Sequence, residues 1–279
     1  FTHPQIAPLV NIDTNKYILE LFYGPTLAFK DYALQFLGNL FSHVMKDSDK
    51  KITVLGATSG DTGSAVAQGF FNKEGIQTVI LFPSGGLTSL QESQFATLGG
   101  NVQALEVSGT FDDCQKLVKQ AFLDHKLNQE VKLGSANSIN IGRLLPQIFY
   151  YFHAYGQLPT KKQPLFSVPS GNFGNLTAGL IAKRLGLPIR GFTAATNIND
   201  TVPEYLKTGF VRPRASIPTI SNAMDVGDPS NFARMEYLYK SDLNSIRKDI
   251  VGSVHTDEET RACIREMYQS TGKILDPHC

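Results

Sequence analysis

The sequence has few cysteines, few charges and no long apolar run. Its three cysteines, Cys114, Cys263 and Cys279, form no C-x-x-C pair and no even framework. That excludes a disulfide scaffold and points to reduced thiols in a reducing, cytoplasmic compartment. Six histidines are scattered without metal-ligand spacing, so no metal site is expected. Charged residues make up 18% of the chain, and the formal net charge is +1. No basic block offers a nucleic-acid surface, and no acidic tail suggests disorder. No stretch approaches the roughly 20 apolar residues that span a bilayer, and none reads as a signal peptide. The chain starts at Phe1 and stops at Cys279, directly after "DPH". Neither end reads as a natural terminus, so a fragment or trimmed ends are expected.

What is present is an alternation of strand and helix patterns. "KITVLGA" (51–57), "QTVILFP" (77–83), "NVQALEV" (101–107), "LFSVP" (165–169) and "IRGFTAAT" (189–196) read as strands. Helical patterns separate them at 64–71, 88–99, 111–127, 139–158 (despite Pro146) and after 175. Such alternation predicts a parallel α/β sheet, with its loops gathered at the strand C-termini. Residues 209–230 read as ordered loop and 231–272 as mainly helical. "LPTKKQP" (158–164) is the best linker candidate.

"GPTLAFKD" (24–31) leads into a helix whose apolar positions recur from Phe29 to Met45 with a 3.6-residue period. Asp31 in the first turn suits the helix dipole, and Lys30 does not, by roughly 0.3–1 kcal/mol for a permanent ammonium. Lys30 is either a solvated lysine that tolerates this or one whose nitrogen is bonded, as in a Schiff base.

Two loops lie between a strand and a helix. In "SGNFGN" (170–175), Gly171 and Gly174 permit a tight turn and Asn172 and Asn175 carry side-chain donors. The loop has neither a Walker lysine nor dinucleotide spacing. It suits a compact phosphate on helix N–H groups, or it is a plain βα turn. In "ATSGDTG" (57–63), Thr58, Ser59, Gly60 and Thr62 suit a carboxylate or phosphate. Asp61 fits there only if it turns away or accepts a hydrogen bond; it also reads as an ordinary cap. "SANSINIGR" (135–143) adds Ser138, Asn140 and Arg143, either an anion site or a capped helix with a surface arginine. A bonded lysine, a phosphate loop and a carboxylate loop together match the needs of pyridoxal 5'-phosphate with an amino acid.

"ELFYGPTLAFKD", "ATSGDTGSAV", "SANSINIGRLLPQ", "VPSGNFGNLTAG" and "ATNINDTVP" closely resemble the threonine synthase family of fold-type II pyridoxal-phosphate enzymes. The resemblance runs in order along almost the whole chain. It implies two three-layer α/β domains of the tryptophan synthase β-like class. The expected division is a large cofactor-binding domain from 1–49 and 158–279, its C-terminal part missing, with a smaller domain at 50–157. It implies Lys30 as the Schiff-base lysine and general base. Gly171, Asn172, Phe173, Gly174 and Asn175 would hold the cofactor phosphate, and Asp61 would lie at the cofactor's edge. Thr58, Ser59, Gly60 and Thr62 would face the substrate carboxylate, and Ser138, Asn140 and Arg143 the substrate phosphate. The implied partner is the small molecule O-phospho-L-homoserine, which loses phosphate from Cγ and gains water at Cβ to give L-threonine.

Two departures stand out. Gly86 stands where many relatives carry a basic residue, and the resemblance implies further family segments at both ends, among them one after "DPH"; activity is expected if only the ends are trimmed, and an open, doubtful site if they are truly absent. The alternatives are another lyase of the same fold giving 2-oxobutyrate, or an inactive ligand-binding relative.

Overall fold

The computed structural model of the chain describes residues 1–46, 51–58, 60–137 and 140–279, with the side chain of Asp112 set aside. Contacts group it into two units, Phe1–Pro8 with Leu19–Pro146, and Leu9–Ile18 with Gln147–Cys279. The chain opens with a two-stranded sheet of β1 (Leu9–Asp13) and β2 (Lys16–Leu19). Asn15 turns between them in the left-handed region.

The first unit contains α1 (Lys30–Met45), β3 (Ile52–Ala57), α2 (Asp61–Phe70), β4 (Ile76–Pro83) and α3 (Ser89–Ala96). It ends with β5 (Val102–Val107), α4 (Phe111–Leu123), α5 (His125–Glu130), β6 (Lys132–Gly134) and α6 (Ile141–Leu144). Its sheet has the order β5-β4-β3-β6, and every pair is parallel. Successive side chains on a strand point to opposite faces. Accordingly Val54, Ile80 and Phe82 join Leu34, Leu37, Val66, Phe70 and Phe95 in one core. Leu55, Ala57 and Leu81 join Cys114 and Val118 of α4 in another. This unit therefore has the three layers expected.

The helix that begins at Lys30 belongs to this unit, not with 158–279. The reason is the close approach of α1 and α2. A Cβ on Gly38 would lie 1.9 Å from the Gly69 carbonyl oxygen, and one on Gly69 would lie 2.7 Å from that of Leu34. The boundary falls at Pro146/Gln147, not at 157/158.

The second unit contains α7 (Ile148–Gln157), β7 (Leu165–Pro169), α8 (Gly174–Arg184), β8 (Gly191–Thr196) and α9 (Thr201–Thr208). It closes with α10 (Phe232–Leu238), α11 (Leu243–Asp249), β9 (Ile250–Val254) and α12 (Asp257–Thr271). Its parallel sheet is ordered β7-β8-β9. Phe166, Phe192 and Ile250 share one face by register. Tyr151 of α7 meets both phenylalanine rings edge-on, at 5.0 and 5.9 Å. The opposite face leaves Leu165, Ser167 and Val251 exposed.

The helix expected over 139–158 is broken. Proline has no N–H and clashes with the preceding turn, and a 3-10 turn, Leu145–Gln147, separates α6 from α7. Four strands fall outside the sequence expectation: β1 and β2 near the start, the three-residue β6, and β9 inside the stretch read as mainly helical. No described helix is long and apolar enough to cross a membrane.

Thr78, on the central strand β4, is fully buried, and its hydroxyl has no hydrogen-bond partner among the described residues. A buried hydroxyl without a partner costs about 1–3 kcal/mol. Thr78→Val keeps the shape and is expected to stabilise the protein by about 1 kcal/mol, read as a raised urea midpoint with an unchanged slope.

Candidate active site

Lys30 is the first residue of α1, and the residue before it, Phe29, makes no side-chain cap. The stretch "GPTLAFKD" is instead tied by Asp31. Its carboxylate is fully buried and accepts from Thr26 N at 2.8 Å and Thr26 Oγ1 at 2.7 Å. Gly24 is required because a Cβ there would lie 2.4 Å from Asp31 Oδ2. Leu27 stands at φ 63°, a strained value for a branched side chain. Burial raises the Asp31 carboxyl above its usual range, against the lowering effect of the Thr26 bonds. This clasp fixes where Lys30 leaves the helix, and sequence reading missed it by treating Asp31 only as a dipole partner.

The Lys30 side chain is 12% exposed, and its Nζ lies 3.3 Å from Asp61 Oδ2. Burial pulls the amine below the ordinary lysine range; Asp61 opposes this, and the Arg143 guanidinium adds to the lowering. Burial disfavours the charged form, so the fold inclines this lysine towards a neutral amine.

Asp61 begins α2, after Gly60 at φ 144°, a value open to glycine alone. Its Oδ1 accepts from Gln91 Nε2 at 3.1 Å. Thus the carboxylate that would have repelled an anion is turned into hydrogen bonds with Lys30 and Gln91. Gln91 is itself locked at the third position of α3 by a capping box with Thr88. The T-x-x-Q pattern at 88–91 is the signal that could have found it.

Thr58 is expected as a ligand donor and is placed otherwise. It is buried, donates its one hydroxyl proton to Gly60 O at 2.8 Å, and accepts from Gly60 N and Gly63 N. It braces the turn. Thr62 is half-buried and lines a small cavity with Gly56, Gly63 and Asn137. Ser59 and Ser138 lie outside the described residues. Asn140 caps α6, accepting from Gly142 N and donating to Ser135 O. These two bonds make it a helix cap, with one amide N–H beyond the Ser135 bond. Arg143 is not a surface arginine: it is 5% exposed and donates from Nη1 to Ala136 O at 3.0 Å. At position 86 a Cβ would meet Pro83 Cγ at 2.5 Å, so a basic side chain does not fit there without movement.

In the second unit, β7 ends at Pro169 and α8 starts at Gly174. Phe173 between them is 2% exposed and left-handed, at φ 59°. A left-handed aromatic at a helix start is an outlier of the kind found at binding sites. Asn175 staples the loop: Nδ2 donates to Pro169 O, Oδ1 accepts from Ser170 Oγ and Leu176 N, and its carbonyl accepts from Tyr151 Oη. Asn172 Oδ1 accepts from Ser230 N at 2.6 Å and Ser230 Oγ at 2.9 Å, and Asn231 Nδ2 donates to Asn172 O. Gly171 has no room for a Cβ, which would lie 2.6 Å from Met224 Cα. The two asparagines are therefore chiefly loop braces. In the first turn of α8, Leu176 N is taken by Asn175 Oδ1, which leaves the N–H groups of Gly174 and Asn175 as the candidate anion donors.

These features fit pyridoxal phosphate. A lysine with a depressed pKa suits its aldehyde, and a braced N–H cradle suits its phosphate.

The opposition of Asp61 to the burial of Lys30 gives a direct expectation. In the cofactor-free protein, Asp61→Asn removes an anion that favours the charged amine, so the Lys30 pKa falls further. Competitive acetylation followed by peptide mass analysis is expected to show half-modification of Lys30 at lower pH in the variant than in the parent. An unchanged or higher midpoint contradicts the pairing.

The pyridoxal-phosphate dependent enzyme pattern matches residues 3–279. The chain is 52% identical over 280 residues to the threonine synthase of Haemophilus influenzae, covering 100% of this chain and 64% of that protein. It is 49% identical over 274 residues to that of Escherichia coli, covering 98% and 63%. Among solved structures, the PLP-bound threonine synthase from Brucella melitensis superposes with a TM-score of 0.92 at 38% identity, covering 100% of this chain and 66% of that one. The chain thus spans about two thirds, or slightly less, of the length of the relatives it matches. With a family pattern running from residue 3 to residue 279 and a lysine and loop that fit the cofactor, the chain belongs to the pyridoxal-phosphate dependent enzyme family.

Proposed function

We propose that this protein carries out the threonine synthase reaction, converting O-phospho-L-homoserine and water to L-threonine and phosphate in the cytoplasm. The observation that carries this reading is the identity of 49–52% to bacterial threonine synthases along 98–100% of the chain.

When bound, pyridoxal phosphate supplies an electron-withdrawing ring that accommodates the electron pair left when a substrate C–H bond is broken. The residues of the chain do the rest. Lys30 Nζ would hold the cofactor through its aldehyde and, when free, would serve as the base that takes the proton from the substrate Cα and then helps remove one from Cβ. A depressed pKa suits this task, since only the neutral amine accepts a proton. Asp61, held by Gln91, keeps Nζ in place. The first-turn N–H groups of Gly174 and Asn175 hold the cofactor phosphate, with Gly171, Asn172 and Phe173 shaping the approach. The turn of Gly60, with Thr62, receives the substrate carboxylate. Arg143 and Ser138 are the leading candidates for the substrate phosphate, with Asn140 placed beside them at the start of α6.

The test is product analysis with O-phospho-L-homoserine and added cofactor. Phosphate and threonine in equal amounts support the proposal. Phosphate with 2-oxobutyrate identifies a lyase of the same fold, and no turnover by cofactor-loaded protein favours a ligand-binding role.

A further inference from the structure

"ATNINDTVP" (195–203 from its first alanine) is the motif to which no function has yet been attached. Asn197 and Asn199 follow β8 and are 4% and 7% exposed. Both donate to Asp225 Oδ1, at 2.9 and 3.2 Å, while Thr219 donates to the same carboxylate through Oγ1 at 2.7 Å and N at 2.9 Å. Four donors from two separate segments thus fix Asp225 at the end of the 3-10 turn Asn222–Met224. The middle of that turn is held from elsewhere. Ala223 N donates to His278 Nε2 at 3.1 Å, and His278 Nδ1 lies 2.6 Å from Asp276 Oδ1. Since Nε2 accepts from Ala223 N, Nδ1 is the ring nitrogen that donates to Asp276 Oδ1. Between these two anchors lies Met224, whose Cα, carbonyl carbon and oxygen are all within 3.0 Å of where a Gly171 Cβ would be.

We infer that the turn Asn222–Met224 is the wall on which the 171–175 loop takes its shape, and that His278 is a positioning residue for the cofactor phosphate, acting through Ala223 and Met224. This rests on reading 171–175 as the phosphate loop. His278 touches no cofactor atom in this account. Its effect is confined to the part of the cofactor that the loop holds, so it separates pyridoxal phosphate from pyridoxal, which has the same aldehyde and ring but no phosphate.

The experiment titrates the full chain, cofactor-free, with pyridoxal phosphate and with pyridoxal, following absorbance, and records thermal melting alongside. The parent is expected to bind pyridoxal phosphate more tightly than pyridoxal. His278→Ala is expected to weaken pyridoxal phosphate about fivefold to tenfold, the equilibrium effect of one such hydrogen bond, and to leave pyridoxal unchanged. His278→Gln, which can present an acceptor to Ala223 N, is expected to restore most of the loss. Asp276→Asn keeps the ring and is expected to give the same selective loss at smaller size; it decides the matter if His278→Ala does not fold. Equal losses for both aldehydes, or no loss for either, overturn the inference. A parent that binds both aldehydes equally overturns the phosphate-loop reading itself, a different outcome from a variant that matches a discriminating parent.

Discussion

Lys30→Ala is expected to lower threonine formation by at least about 10³-fold while leaving the fold intact. Removal of a positioned general base alone removes about 10²–10⁴-fold, and here the covalent attachment of the cofactor is lost as well. Stability is expected to change little or to rise. The amine is buried, and burial is what depresses its pKa, so the native state carries a cost for holding it there. A melting temperature no lower than the parent's, with unchanged circular dichroism, separates a chemical loss from an unfolded chain. Lys30→Arg is expected to be equally inactive, because a guanidinium stays protonated and serves neither as base nor as nucleophile. Turnover undiminished in Lys30→Ala removes the assigned role.

Gly171→Ala is expected to weaken pyridoxal phosphate binding by roughly 30- to 100-fold, and Gly174→Ala by less than about threefold. The two glycines flank the same short loop, yet their surroundings differ. At Gly171 the new methyl would sit 2.6 Å from Met224 Cα and 2.9 Å from its carbonyl oxygen, both backbone. Backbone does not rotate away, so the loop or the turn shifts, at about 2–3 kcal/mol of overpacking, and tenfold in affinity corresponds to 1.4 kcal/mol. At Gly174 the nearest atom is Asn231 Nδ2 at 3.4 Å, an ordinary contact. Equilibrium titration with the cofactor measures both. Equal effects at the two positions contradict the wall formed by Met224.

The parts of the site that lie close together in sequence were legible there. The 3.6-residue period after Phe29 located α1 and placed Lys30 at its start. Glycines between a strand and a helix located the 58–63 and 170–175 loops. Local chemistry does not tell which way a side chain turns. Thr58 and Asn140 carry ligand-donor groups, yet both turn inward to backbone atoms two to five residues away. Nor does it reveal partners brought together by folding. Gln91 reaches Asp61 across 30 positions, Ser230 reaches Asn172 across 58, and His278 reaches Ala223 across 55. The grouping of α1 with 51–146 was missed for a related reason. Gly38 and Gly69 look like ordinary helical glycines until two backbones are found to touch there.

The strand β9 was hidden by its neighbours. Ile250–Val254 is short, holds Gly252 and lies between α11 and α12, so periodicity alone favours continuous helix. Its pairing with β8 supplies the stability that its sequence does not. Pro146 acted as a breaker in the ordinary way, and the chain accommodated it with a single 3-10 turn.

The most direct measurement loads the full chain with pyridoxal phosphate, reduces it with borohydride, digests it and maps the label by mass. The account predicts one phosphopyridoxyl group per chain, on the peptide containing Lys30 Nζ. Label on another lysine, or none on well-loaded protein, contradicts it.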